Sequence, residues 1–163
     1  MAKEEVNFEQ FLAVVEPPYQ NFISELHKNL IDNGCKAKIE SKSSGLFVSY
    51  TYAKSKKSIV NLLFRKKGLI VRIYGEHANV YNEFMNTLPE EMIKAVEKAP
   101  VCKRLIDPDD CTPKCSTGYD FTIGNAHFQK CKYNCFMFAV NDKNNPYIKS
   151  FVENELIERD KCL

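Results

Sequence analysis

Apolar positions recur at helical spacing over residues 8–30 and then change to alternation, so the chain opens with helices and continues in strands. Asn7 and Gln10 form a capping-box pattern, and Phe8, Phe11, Leu12 and Val15 share one helical face. This predicts a first helix from Phe8 to Val15, stopped by Pro17-Pro18. A second helix from Pro18 carries Tyr19, Phe22, Ile23, Leu26 and Leu30 on one stripe and ends at Asn33-Gly34. His27 borders that stripe, where a boundary role is expected.

Next come LFVSYTY (46–52), SIVNLLF (58–64) and LIVRIY (69–74), rich in β-branched and aromatic residues and separated by lysine-rich turns. They predict an antiparallel meander, with CKAKIE (35–40) as the strand before it. The lysine runs read as solvated hairpin tips that discourage edge pairing. Two short helices follow, one marked by Tyr81, Phe84, Met85 and Leu88. The other carries Met92, Ile93 and Val96 and opens with Pro89-Glu90-Glu91. His77 falls at the strand-to-helix junction, where a role at the helix N-terminus is expected.

Gly124-Asn125, flanked by 119–123 and 127–131, signals a hairpin. CFMFAV (135–140) reads as a central buried strand, and Asn145-Pro146 opens a last amphipathic helix through Ile148, Phe151, Val152 and Leu156. The expectation is one α+β domain, an antiparallel sheet packed with helices. Its parts are helices over 1–34, the meander over 35–75, helices over 78–99, a cysteine-rich loop and strands over 101–140, and a helix over 145–158.

Composition narrows the function classes. A chain of 163 residues with 44% hydrophobic and 27% charged content can bury a core without disulfides. Its formal net charge of +2 is spread among interspersed acids and bases, which argues against nucleic acid as a partner. The N-terminal stretch has acids where a signal peptide has bases, and no run approaches the roughly 20 apolar residues of a membrane span. A cytoplasmic protein without a membrane partner is therefore expected, and in that compartment seven cysteines point to metal or redox chemistry instead of disulfides.

Five of the seven lie in the order Cys102, Cys111, Cys115, Cys131 and Cys135. A two-residue turn at Gly124-Asn125 would place Gly118 opposite Cys131, bringing Cys131 toward Cys115 at the open end of the hairpin. Pro113 turns the chain between Cys111 and Cys115, and the loop before it can return Cys102. These four form a candidate tetrathiolate zinc site, in which the metal replaces core for a loop that cannot bury itself. His127 is a reserve ligand. Cys135, roughly 13 Å from Cys131 if the segment is extended, is assigned to the core. Cys35 reads as a small buried residue and Cys162 as an exposed tail thiol. Neighbouring lysines and arginines would offset the charge of the site, and they equally favour a thiol redox pair at Cys111 and Cys115. An iron–sulfur cluster is a further alternative for the same cysteines.

Asn61 and Arg72 interrupt the apolar faces of the meander. With a two-residue turn at Lys66-Lys67 they stand opposite each other, and with a three-residue loop they separate. In the first register, Arg72, Asn61, Tyr50 and Tyr74 would line a polar, aromatic-walled pocket for a small anionic ligand. The competing reading is that Arg72 snorkels to the sheet edge over half-buried tyrosines. No phosphate loop, dinucleotide fingerprint, zinc-protease helix or nucleophile elbow occurs, and no nucleophile–base–orienter set is expected from three histidines at these positions.

From Pro18 to Gly75, PYQNFISELHKNL followed by FVSYTY, SIVNLLF and LIVRIYG resembles the small bacterial YjbR/MmcQ-type and YdhG-type proteins. That resemblance implies a compact α+β domain with an antiparallel sheet. It covers little more than a third of the chain and transfers no functional residue. The leading expectation is a small binding or structural protein with a structural zinc. The alternatives are a thiol-dependent redox protein or enzyme using Cys111 and Cys115, and a small-ligand sensor using Arg72 and the sheet tyrosines.

Overall fold

The computed structural model describes residues 6–66, 68–102, 105 and 118–162. Helix α1 (Phe8–Ala13) begins with the expected capping box, Asn7 Oδ1 accepting from the Gln10 N–H and Gln10 Oε1 from the Asn7 N–H, both at 2.9 Å. It ends two residues short of Val15, which is buried outside the helix. Helix α2 (Pro17–Asp32) buries Ile23, Leu26 and Leu30, and Gly34 at φ +88 turns the chain into the first strand.

Strands β1 (Cys35–Lys42), β2 (Gly45–Tyr52), β3 (Lys57–Arg65) and β4 (Gly68–Ile73) form the antiparallel meander. After α3 (Asn82–Met85) and α4 (Glu90–Lys98), β5 (Tyr119–Ile123) and β6 (Ala126–Lys130) make a separate hairpin. Strand β7 (Met137–Ala139) then pairs with β4, and α5 (Asn145–Lys161) closes the chain. The main sheet has the order β1-β2-β3-β4-β7. The α+β class with an antiparallel sheet is therefore as the sequence predicts.

Two further elements differ from expectation. CFMFAV contributes three strand residues at the sheet edge, not a central strand, because residues 132–136 turn and Cys135 N–H bonds the Cys131 carbonyl at 3.0 Å. The burial that made it look central comes from Phe136 and Phe138 packing on Phe151 of α5. Helix α5 also runs on to Lys161, past the last apolar position of its stripe.

One face of the sheet is the core. Directly paired residues share a face, so Tyr50 with Val60, Val48 with Leu62, Leu62 with Val71, and Val71 with Phe138 line up on one side. They join Phe11, the α2 stripe and Ile148, Phe151, Val152 and Leu156 of α5 in a single apolar cluster. A buried lysine at the hairpin is satisfied in an ordinary way. Lys130 Nζ donates to the Glu97 and Ala99 carbonyls at 2.9 Å each, capping the end of α4.

Candidate functional site

The opposite face of the sheet carries a polar row. Lys38 pairs with Ser49, Ser49 with Asn61, Asn61 with Arg72, and Arg72 with Met137. The Arg65–Gly68 pair sets this register, the one in which Asn61 and Arg72 face each other. Asn61 is only 4% exposed, so its amide must be bonded. The orientation that satisfies both ends lets Oδ1 accept from Arg72 Nη1 at 3.0 Å and from the Tyr74 hydroxyl at 2.9 Å, while Nδ2 donates to the Val60 carbonyl at 3.0 Å. Arg72 Nε is buried without a partner among the described residues.

Tyr50 does not join this group. It pairs with Val60, on the core side of the sheet, and its hydroxyl lies 2.7 Å from His27 Nδ1. His27 stacks on Phe8 with ring centroids 3.7 Å apart, which fits the boundary role expected of it. Period-two alternation explains the exclusion, since residue 50 and residue 61 answer to opposite faces.

Tyr74 connects the polar row to a cleft of about 530 Å³ lined by Lys57, Ser58, Tyr74, Glu76, Gly118, Tyr119, Lys132 and Tyr133. Tyr74 and Tyr133 meet edge to face at 6.4 Å. Tyr119 stacks on Phe136 at 5.0 Å and is 7% exposed, yet its hydroxyl has no partner among the described residues. Burial holds that phenol far above its ordinary range, with Cys135, Glu76 and Glu155 adding to the effect, so it remains a proton donor. Glu76 bonds Lys132 at 3.2 Å. Burial pushes the Glu76 carboxyl up, but Arg159, Lys132 and Lys57 together outweigh it and hold the group below the usual carboxylate range.

Beneath the cleft lies a buried ionic cluster. Glu155 and Arg159 occupy the stripe of α5 one turn apart, 0% and 4% exposed, with Nε to Oε2 at 2.8 Å. Arg159 also donates to the carbonyls of Tyr74 at 2.8 Å and Lys57 at 3.3 Å. Glu155 accepts from the Tyr81 hydroxyl at 2.7 Å, the His77 backbone N–H at 3.0 Å and the His77 ring Nδ1 at 2.8 Å. The other ring nitrogen, Nε2, lies 3.5 Å from Cys162 Sγ. Cys162 is exposed as expected, and, against expectation, it completes a nucleophile–base–orienter line of Cys162, His77 and Glu155 assembled from residues far apart in sequence.

The cysteine constellation is described only in part. Cys111 and Cys115 lie outside the described residues. Val101 bridges Lys130, with the Cys102 N–H on the Gln129 carbonyl at 2.9 Å and the Cys131 N–H on the Pro100 carbonyl at 2.8 Å. Cys102 and Cys131 therefore come from adjoining segments at the open end of the hairpin. Cys102 is buried, and its sulfur accepts the Gly118 N–H at 3.3 Å. Cys135 sits in the core, where burial pushes its thiol well above the ordinary range. Cys35 is likewise buried, and burial raises its thiol to about 11. His127 bonds Asp120 across the hairpin, toward its turn. Among the described residues no three potential ligands cluster around a point that could hold a metal ion.

Comparison with known proteins identifies no relative: no family model, no curated protein and no solved structure matches the chain. Function must be argued from the site alone.

Four contributors to this region escape a reading by local motif: Glu76, His77, Glu155 and Arg159. A signal did exist for two of them. The stripe Ile148, Phe151, Val152 continues at helical spacing onto Glu155 and Arg159, putting opposite charges where apolar residues belong. Glu76 and His77 offered no such periodicity.

Proposed function

We propose that the protein is a small-molecule-binding domain whose site is the cleft between Tyr74, Tyr119 and Tyr133. The occupant is a small polar molecule combining an anionic group with a flat ring. Lys57 and Lys132 would hold the anion, and the tyrosine rings would flank the flat part. Asn61 accepts the Tyr74 hydroxyl and is itself held by Arg72, a positioning part instead of the direct contact expected from the sequence. One observation carries the reading. Tyr119 lines a cleft large enough for a metabolite, its buried hydroxyl has no partner among the described residues, and a ligand acceptor that reaches it as the ring adjusts would supply the missing bond.

A thermal-shift screen with small carboxylates, phosphates and phosphorylated aromatic compounds tests this. A saturable stabilisation by at least one compound, lost in both Lys57→Ala and Tyr119→Phe, supports the reading. Protection by none of the panel, or protection that survives both substitutions, overturns it.

A structural thiolate zinc is the second reading, favoured by the arrival of Cys102 and Cys131 at the same end of the hairpin. Cys111 and Cys115 would complete the set, and the metal would tie the loop to the hairpin. Metal analysis of untagged protein decides it. About one zinc per chain, with four thiols released by chelator, supports the site. Iron in its place would assign a cluster, and no metal removes both.

A further inference from the structure

We infer that Cys162 is a base-assisted reactive thiol and the protein's site of exchange with small disulfides. The geometry is that of an activated nucleophile. A thiol, an imidazole and a carboxylate stand in line, with Sγ 3.5 Å from His77 Nε2 and Nδ1 2.8 Å from Glu155 Oε2. Glu155 holds His77 twice, through the ring and through the backbone N–H at 3.0 Å, so the ring cannot turn away without breaking a part-buried bond. With Nδ1–H donated to the carboxylate, Nε2 is left as the acceptor that faces the sulfur. Cys162 itself is exposed, so a disulfide can reach it.

The surrounding charges neither replace nor cancel this arrangement. Around His77, Glu155 is matched by Arg159, and Glu76 by Lys132. Around Cys162, Glu158 pairs with Lys161, and Asp160 with Lys54. A proton passed from sulfur to imidazole therefore creates one balanced pair beside charges that are already paired, with Lys57 as a further cation near Glu76. Cys162 is the C-cap of α5, where the helix dipole opposes a thiolate and favours an imidazolium. Activation must come from the base, not from the helix.

The step balances without an added oxidant. As His77 Nε2 takes the thiol proton, Sγ attacks one sulfur of R–S–S–R. The Cys162–S–S–R bond forms, the disulfide bond breaks, and R–S⁻ leaves with the proton returned by His77.

The test treats the full chain with hydroxyethyl disulfide, an uncharged probe, and reads the mixed disulfide at each cysteine by peptide mass. Cys162 is expected to react about tenfold or more faster than the half-buried Cys131 at neutral pH. Its rate should depend less steeply on pH than in His77→Gln, where the base is gone and the rate follows the thiolate alone. The same rate and pH profile in wild type and folded His77→Gln overturn the inference. Should His77→Gln fail to fold, the ring titration of His77, followed by nuclear magnetic resonance, is compared between wild type and Cys162→Ser. A displaced titration supports the coupling, and identical curves overturn it.

Discussion

Arg159 reaches Glu155 one helical turn back, at 2.8 Å, and the two charges stand where the α5 stripe would otherwise carry apolar side chains. Each also bonds groups outside the helix: Arg159 the carbonyls of Tyr74 and Lys57, Glu155 the loop at His77 and the Tyr81 hydroxyl. The pair is therefore the polar joint between the last helix and the end of the meander. Removing one partner leaves the other as an uncompensated buried charge. Arg159→Met and Glu155→Leu are each expected to cost about 3–5 kcal/mol in urea unfolding. The double variant should cost less than the two together, since neither charge is then stranded.

Tyr119→Phe separates binding from folding. The hydroxyl it removes has no partner among the described residues, so unliganded stability should stay level or rise by about 1 kcal/mol. Denaturant midpoints with and without a screening hit measure both effects, and a large loss of stability in the unliganded protein would contradict the unpartnered hydroxyl.

Gly118→Ala probes close packing at the mouth of the cysteine loop. A Cβ there would lie 2.3 Å from the Lys130 carbonyl and 2.9 Å from Cys102 Sγ, and the first of these is backbone that cannot swing aside. A loss of roughly 1–3 kcal/mol is expected, read as a lower denaturant midpoint.

His27 sets a pH dependence in the mildly acidic range. Burial lowers its titration in the folded chain, so the unfolded chain binds the proton more readily. The stability it contributes is whole above the unfolded value near 6.5 and is lost as pH falls through that range. Melting temperature should fall between pH 7 and 5.5, and His27→Phe should flatten that slope. Glu76, held low by Arg159 and Lys132, acts further down, its contribution present above about 4.5 and fading below.

Elements governed by nearest neighbours were legible before any coordinates. The capping box at Asn7, the stop at Gly34, the Gly124-Asn125 hairpin and the four strands of the meander all follow from local spacing. Register was open, because a two-residue and a three-residue loop both suit the lysines at the β3–β4 turn. Only the pairing of Arg65 with Gly68 brings Asn61 to Arg72. Tyr50 was misplaced because four polar or aromatic residues were grouped by proximity in sequence, whereas alternation sends it to the core. His77, Glu155 and Cys162 meet only through the packing of α5 on the loop after β4, a relation no window of sequence contains.

The edge position of β7 has a kinetic side. Strands β1 to β4 can pair as they emerge, each with the strand before it, but the free side of β4 must wait for Met137–Ala139. During synthesis that side is an open template through the making of α3, α4 and the hairpin, and exposed strand edges are where chains join wrongly. The same interval leaves the Tyr74 and Lys57 carbonyls facing water until Arg159 arrives at the far end of α5. The N-terminal half thus emerges early and stays unfinished, and the last helix is the part that ends its vulnerability.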